Sequence, residues 1–127
     1  MKISRTGFIA TSLALAAGLI CNAAQAQSGA TWPSKPVRLV VTFPPGGSSD
    51  AAARIVAPKL AERLGQPVIV DNKPGGGGGV GLDIVAKSPA DGYTIVLASA
   101  GGLTANPSLY PKLTYDPVRD FAPITLF

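Results

Sequence analysis

Apolar residues follow two rhythms along this chain. Short runs rich in β-branched residues, at Val37–Phe43, Val68–Asn72, Tyr93–Ala98 and Phe121–Phe127, read as strands. The near-continuous apolar character of the first is that of a strand buried on both faces, as in a parallel sheet. Arg38 interrupts it near its start, where solvent is close. Between the first two runs, Ala52, Val56, Leu60 and Leu64 recur every four residues, and Ala53, Ile55 and Ala57 widen the stripe. That spacing predicts a helix from about Ser49 to Leu64. Gly65 stands where a helix-ending glycine belongs. Pro58 falls inside the helix and is expected to bend it, because it cannot donate the backbone hydrogen bond. Leu82, Val85 and Ala86 predict a second, short helix that ends by Ser88-Pro89, and Asp91-Gly92 marks a turn. Leu103–Tyr110 reads as a short helix interrupted by Pro107, and Pro111–Arg119 as irregular. Strand and helix therefore alternate throughout. The fold class is α/β, with a mostly parallel sheet and flanking helices. The apolar finish at Phe127 is read as a chain that continues.

The first residues belong to a different plan. Met1–Arg5 is a short basic start, Gly7–Ile20 is mostly apolar, and Ala24-Gln25-Ala26 is a small-x-small end. These are the three parts of a secretory signal peptide, residues 1–26, cleaved after Ala26. An uncleaved anchor fits less well, because 14 residues fall short of the roughly 20 that cross a bilayer core. Lipidation at Cys21 fits less well because Ile20 before it is not small. Removing Lys2 and Arg5 leaves 9 basic against 7 acidic residues, so the net charge drops from +4 to +2. No basic block remains and aromatics are sparse, which argues against a nucleic-acid partner. Without the signal peptide no Cys or His is left. Imidazole catalysis, thiol catalysis and the usual zinc sites are excluded on that ground. The charged fraction, 14%, is well below the ~25% of ordinary soluble chains and points to a buried sheet rather than to disorder. Trp32, in the proline-punctuated lead-in, is read as packing on the domain edge rather than touching a ligand.

In an open parallel sheet the loops after the strand C-termini share one edge, where ligands bind. Three such loops here carry small residues: Pro44–Asp50, Pro74–Gly81 and Ser99–Gly102. Each precedes a helix or probable helix start, where unpaired N–H groups and a partial positive charge suit a carboxylate or phosphate. One loop alone reads as a tight turn; three on one edge read as a site. Ser48, Ser49 and Asp50 are all good helix-capping residues. Asp50 has two readings, a cap for the helix or a group that faces the cleft and receives a donor.

Competing chemistries fare worse. Gly76, Gly78 and Gly81 satisfy G-x-G-x-x-G, but five consecutive glycines satisfy many patterns, and the next strand ends Leu97-Ala98-Ser99 without the acidic residue that would confirm it. No Gly-Lys-Ser/Thr occurs, so a P-loop is excluded. No cofactor is expected. Ser48, Ser49 and Ser99 lack a visible base, which disfavours a serine nucleophile. An exported α/β enzyme using the glycine loops as an oxyanion site is the alternative function.

Several stretches carry a resemblance. Arg38-Leu39-Val40-Val41-Thr42-Phe43-Pro44-Pro45-Gly46-Gly47, Asp50, Leu64-Gly65-Gln66-Pro67-Val68, Asp71-Asn72-Lys73-Pro74-Gly75, Ala90-Asp91-Gly92-Tyr93-Thr94 and Asn106-Pro107-Ser108-Leu109-Tyr110 resemble, in order and spacing, the Bug family. These are periplasmic substrate-binding proteins of tripartite tricarboxylate transporters. The resemblance implies a two-lobed type II periplasmic-binding-protein fold, of which residues 27–127 would be the N-terminal part of an incomplete first lobe. It implies a periplasmic, non-enzymatic protein, monomeric when full length, that hands a small carboxylate to membrane transporter subunits. Dicarboxylates, tricarboxylates, acidic amino acids and aromatic acids are the implied ligands, held partly through ordered waters. On matching positions the ligand-binding residues are Phe43, Gly46, Gly47, Ser48, Ser49, Asp50, Gly77, Gly78, Gly79 and Ser99. The family usually has Pro-Gly-Ala-Gly-Gly where this chain has Pro74 and five glycines, and the extra glycine predicts a looser loop.

Overall fold

The computed structural model describes residues 31–126. The signal-peptide segment lies outside the described residues. Three parallel strands form one sheet in the order β2-β1-β3: β1 (Val37–Val41), β2 (Val68–Asn72) and β3 (Thr94–Leu97). β1 lies in the middle, with Leu39 opposite both Val70 and Ile95. Its central place leaves four of its five residues buried, with Val40 and Val41 fully enclosed.

The two faces of the sheet are covered by the two longer helices. α1 (Ser48–Leu64) buries Ala53 and Ala57 against Leu39 and Val41, with Val68, Val70, Ile95 and Leu97 packed around them. Small alanines on the inner stripe let the helix lie close to β-branched residues. α1 ends where the sequence says, with Gly65 in the left-handed region at φ 66°. Pro58 lies on the exposed side and the helix runs on through it. α2 (Gly79–Ala86) covers the opposite face and buries Leu82 completely. On that face Arg38 donates from Nε to Asp71 Oδ2 at 2.8 Å and Lys73 Nζ lies 3.2 Å from Asp71 Oδ1, so the one charged residue inside the first apolar run is neutralised by its strand neighbour.

Two further short helices follow β3: α3 (Ala100–Thr104) and α4 (Asn106–Leu109). Pro107 does not interrupt one helix but stands in the first turn of the second, where its missing N–H costs nothing. Trp32 packs on the Tyr93 ring, centroids 5.9 Å apart, and against Gly92, as the edge-packing reading expects.

One expected element is absent. Phe121–Phe127 is not a strand over its described residues, 121–126. A strand exists through its ladder, and this segment pairs with none of the three strands. Its Ile124 and Leu126 side chains stay exposed. Hydrophobicity alone suggested the strand, and hydrophobicity does not supply a pairing edge.

Candidate functional site

The chain leaves β1 at Thr42, whose N–H and hydroxyl both reach the Leu97 carbonyl, at 3.4 Å each. It then turns through Phe43–Gly47 into α1. Gly46, at φ 83°, takes the left-handed conformation that the turn requires. The helix cap is Gly47 rather than the side chain of Ser48, Ser49 or Asp50. The first helical N–H with a backbone partner is that of Ala51, bonded to Gly47 O at 2.9 Å. The N–H groups of Ser48, Ser49 and Asp50 have no partner among the described residues, as the geometry of a helix start dictates. Phe43, Pro44, Gly47, Ser48, Ser49 and Ser99 line a hollow of about 400 Å³ here.

Asp50 serves the turn. It is 4% exposed. Its Oδ2 accepts from the Gly46 N–H at 2.9 Å and from Arg54 Nε at 3.0 Å. The Arg54 guanidinium, followed by the Gly46 N–H and the Asn72 amide, holds the carboxyl down at about 2 against the opposing effect of burial. Asp50 is thus a fixed anion paired within the chain, in the first turn of α1. Its Oδ1 is buried without a hydrogen-bond partner. Its carboxylate does not cap α1, whose cap is Gly47, and its bonded oxygen is turned to Gly46 and Arg54. Asn72, at the end of β2, completes the brace: its Nδ2 donates to the Phe43 carbonyl at 3.0 Å.

The second loop meets the first through Thr42. A Cβ on Gly78 would stand 3.2 Å from Thr42 Oγ1, so the glycine loop lies directly on the end of β1. Gly76–Gly78 form a 3₁₀ turn. The Gly78 N–H bonds to Gly75 O at 3.0 Å, and the Gly79 N–H to Gly76 O. The loop expected to be loose is therefore closed by its own backbone bonds. Gly77, exposed and at φ 60°, keeps an N–H with no partner among the described residues. In the third loop Ser99 caps α3, its Oγ accepting from Gly102 N at 3.4 Å, while its side also lines the hollow of the first loop.

Phe43, Gly47, Ser48, Ser49 and Ser99 thus gather around one hollow. Gly46 and Asp50 stand behind it and brace the turn. Gly77, Gly78 and Gly79 do not line it: Gly78 lies on Thr42 at the end of β1, Gly77 and Gly79 lie against Asn106, and the N–H groups of Gly78 and Gly79 are bonded inside their loop. Sequence reasoning did not single out the residues that hold the loops in place: Arg54 and Asn72 for the first, Asn106 and Tyr115 for the second and third. Asn72 and Asn106 lie within the motif stretches, but an asparagine's partners are set by the tertiary fold. A larger hollow of about 670 Å³ is lined by Tyr110, Leu113, Asp116 and Arg119 among others. Its cation is occupied, with Arg119 Nε 2.7 Å from Asp116 Oδ2, so it offers an anion less than the helix start does. Among the described residues no three His, Cys, Asp or Glu side chains converge as a metal site would need.

A parallel α/β layer whose small-residue loops meet at one sheet edge is the architecture of a periplasmic-binding-protein lobe, and solved structures of that class match it. Residues 52–127 fit the model described as "Tripartite tricarboxylate transporter family receptor", and the chain belongs to that family. It is 45% identical over 100 residues to protein BugT of Bordetella pertussis, covering 78% of this chain and 31% of BugT. The periplasmic binding protein BugD matches with a TM-score of 0.70 at 43% identity, over 73% of this chain and 31% of that one. Two Rhodopseudomonas palustris proteins also match. One, solved with adipate, has a TM-score of 0.64 at 42% identity, over 68% of this chain and 29% of its own length. The other, MatC with bound malate, has a TM-score of 0.69 at 38% identity, over 72% of this chain and 31% of its own length. The chain spans about a third of the length of the curated relatives it matches.

Proposed function

We propose that this chain forms one wall of a solute-binding site for a small carboxylate. The single observation that carries the reading is the set of unpaired N–H groups at Ser48, Ser49 and Asp50, beside a hollow lined by Phe43, Gly47, Ser48, Ser49 and Ser99. Several backbone donors aimed at one region bind an anion through charge-assisted hydrogen bonds, which are about twice as strong as neutral ones. The helix dipole adds roughly 0.3–1 kcal/mol. The Gly77–Gly79 loop and Ser99 complete the ring of small residues, and ordered waters fill the gaps that a rigid backbone leaves. Asp50 and Gly46 act by keeping the turn in shape.

Malate and adipate in related structures support a ligand of the dicarboxylate kind; tricarboxylates, acidic amino acids and aromatic acids remain within the proposed class. The family assignment supports a periplasmic protein that works with a tripartite tricarboxylate transporter and performs no chemistry on its ligand. Residues 1–26 would be the export signal. The test is calorimetric titration of the protein, in the length that its reading frame encodes, with malate, adipate, citrate, glutamate and benzoate. At least one should bind and be recovered unchanged. Folded protein that binds none of them, or that converts one, overturns the reading.

A further inference from the structure

One side-chain cluster is left over from the site just described. Asn106 and Tyr115 are buried at 4% and 6% exposure, polar groups set among glycine backbone, Leu82 and the Phe121 ring. Tyr115 donates its hydroxyl hydrogen to the Gly102 carbonyl, because a carbonyl can only accept. The hydroxyl oxygen then receives Asn106 Nδ2, at 3.2 Å. This fixes which end of the Asn106 side chain is the amide nitrogen, and the same nitrogen faces Gly76 O and Gly77 O at 3.4 Å each. A hydrogen-bond chain therefore links the glycine loop through Asn106 and Tyr115 to α3, with Asn106 donating to both sides. It joins segments about 30 residues apart in sequence.

The consequence lies on the other side of the peptide. In a trans peptide the C=O of one residue and the N–H of the next point in opposite directions. With Gly76 O turned inward to buried Asn106, the Gly77 N–H is turned outward; it has no partner among the described residues, whereas those of Gly78 and Gly79 are bonded within the turn. We propose that Asn106, oriented by Tyr115, is a positioning residue for the carboxylate site: it sets the Gly76–Gly77 peptide so that the Gly77 N–H presents to the ligand. The inference rests on the carboxylate-binding reading and adds to it a residue that never touches the ligand.

The test uses Tyr115→Phe and Asn106→Asp in the full-length protein, titrated with malate and adipate at a temperature where each variant is fully folded. Tyr115→Phe removes the hydroxyl and keeps the ring. Asn106→Asp keeps the shape and replaces the donor by an acceptor facing two carbonyls. Dissociation constants should rise about tenfold or more, as expected for one lost bond to a charged group. The Gly77 amide resonance, shifted downfield by ligand in the wild type, should lose that shift in both variants. If Asn106→Asp does not fold, Tyr115→Phe decides alone. A lower melting temperature with unchanged dissociation constants and an unchanged Gly77 shift reduces the pair to a structural role and overturns the proposal. A wild-type protein that binds no carboxylate overturns the functional reading, and this inference with it.

Discussion

The Asp50 carboxylate accepts a hydrogen bond from the Gly46 N–H, four residues back, at 2.9 Å. The first turn of α1 thereby closes the loop that delivers it. Arg54, one turn further on, holds the same oxygen at 3.0 Å. Asp50→Ala removes both bonds and leaves the Gly46 N–H without its acceptor. Thermal denaturation followed by circular dichroism should show a melting temperature several degrees lower. Carboxylate affinity should fall about tenfold or more, because the Ser48 and Ser49 donors are no longer held together. Asp50→Asn keeps an acceptor for Gly46 and loses the ion pair, so its effect should lie between the two. Equal affinity in all three proteins would show that the turn keeps its shape without the brace.

The same carboxylate gives the protein a pH dependence. Its value in the fold is about 2, against 3.8 for an ordinary aspartate. The unfolded chain therefore takes up this proton first as pH falls, and the stabilisation is fully present above about pH 4 and lost on the way down to about pH 2. Asp71, Asp83, Asp91 and Asp116 are lowered as well, so the acid limb of the whole protein is composite. The difference in melting temperature between wild type and Asp50→Asn isolates one group. It should be constant from pH 7 to pH 5 and shrink between pH 4 and pH 2. A difference that persists unchanged at pH 2 would exclude the ion pair as its source.

The layout of the sheet was legible in the sequence because its signals are local. The first three β-branched runs, the four-residue spacing of Ala52, Val56, Leu60 and Leu64, and Gly65 at the helix end each act within a few residues, and their strands and helix appear where expected. The hollow was legible for a related reason: strand-end loops of a parallel sheet converge whatever their sequence. What could not be read was which polar group goes to which partner. Asp50 looked equally fit for cap or cleft until Arg54 and Gly46 were seen around it. Asn106 carries no local signal, since its partners at Gly76, Gly77 and Tyr115 are chosen by the fold. The strand expected at Phe121–Phe127 failed for the complementary reason, as pairing is a property of a neighbour and not of the segment.

Gly102 tests how tightly α3 is set on α2. A Cβ at this position would stand 2.7 Å from Leu82 Cδ1, and Leu82 is fully buried. Gly102→Ala should destabilise the protein by about 1–2 kcal/mol, the overpacking cost reduced by the better helix propensity of alanine. Leu82→Val removes the atom that would collide and alone costs about 1 kcal/mol in lost packing. The double variant should be less destabilised than the sum of the two, in urea unfolding, because the new methyl group enters the space that the leucine vacates. Additive losses would mean that the Cβ is accommodated by movement of α3 instead.

Pro58 has no role in the candidate site, and its effect on stability follows from backbone chemistry alone. It stands inside α1 with no N–H to offer, so the Arg54 carbonyl lacks its partner four residues on. Both residues are exposed, and water satisfies that carbonyl. Proline in a helix interior costs about 3 kcal/mol relative to alanine. Part of this is offset because proline also restricts the unfolded chain, by roughly 0.4–1 kcal/mol. Pro58→Ala should therefore stabilise the protein by about 1–3 kcal/mol in urea unfolding, with carboxylate affinity unchanged, since the substitution lies more than two turns from Ser48 and Ser49. Should the variant instead lose affinity while gaining stability, the direction in which α1 points at the hollow would depend on Pro58, and the proline would belong to the site after all.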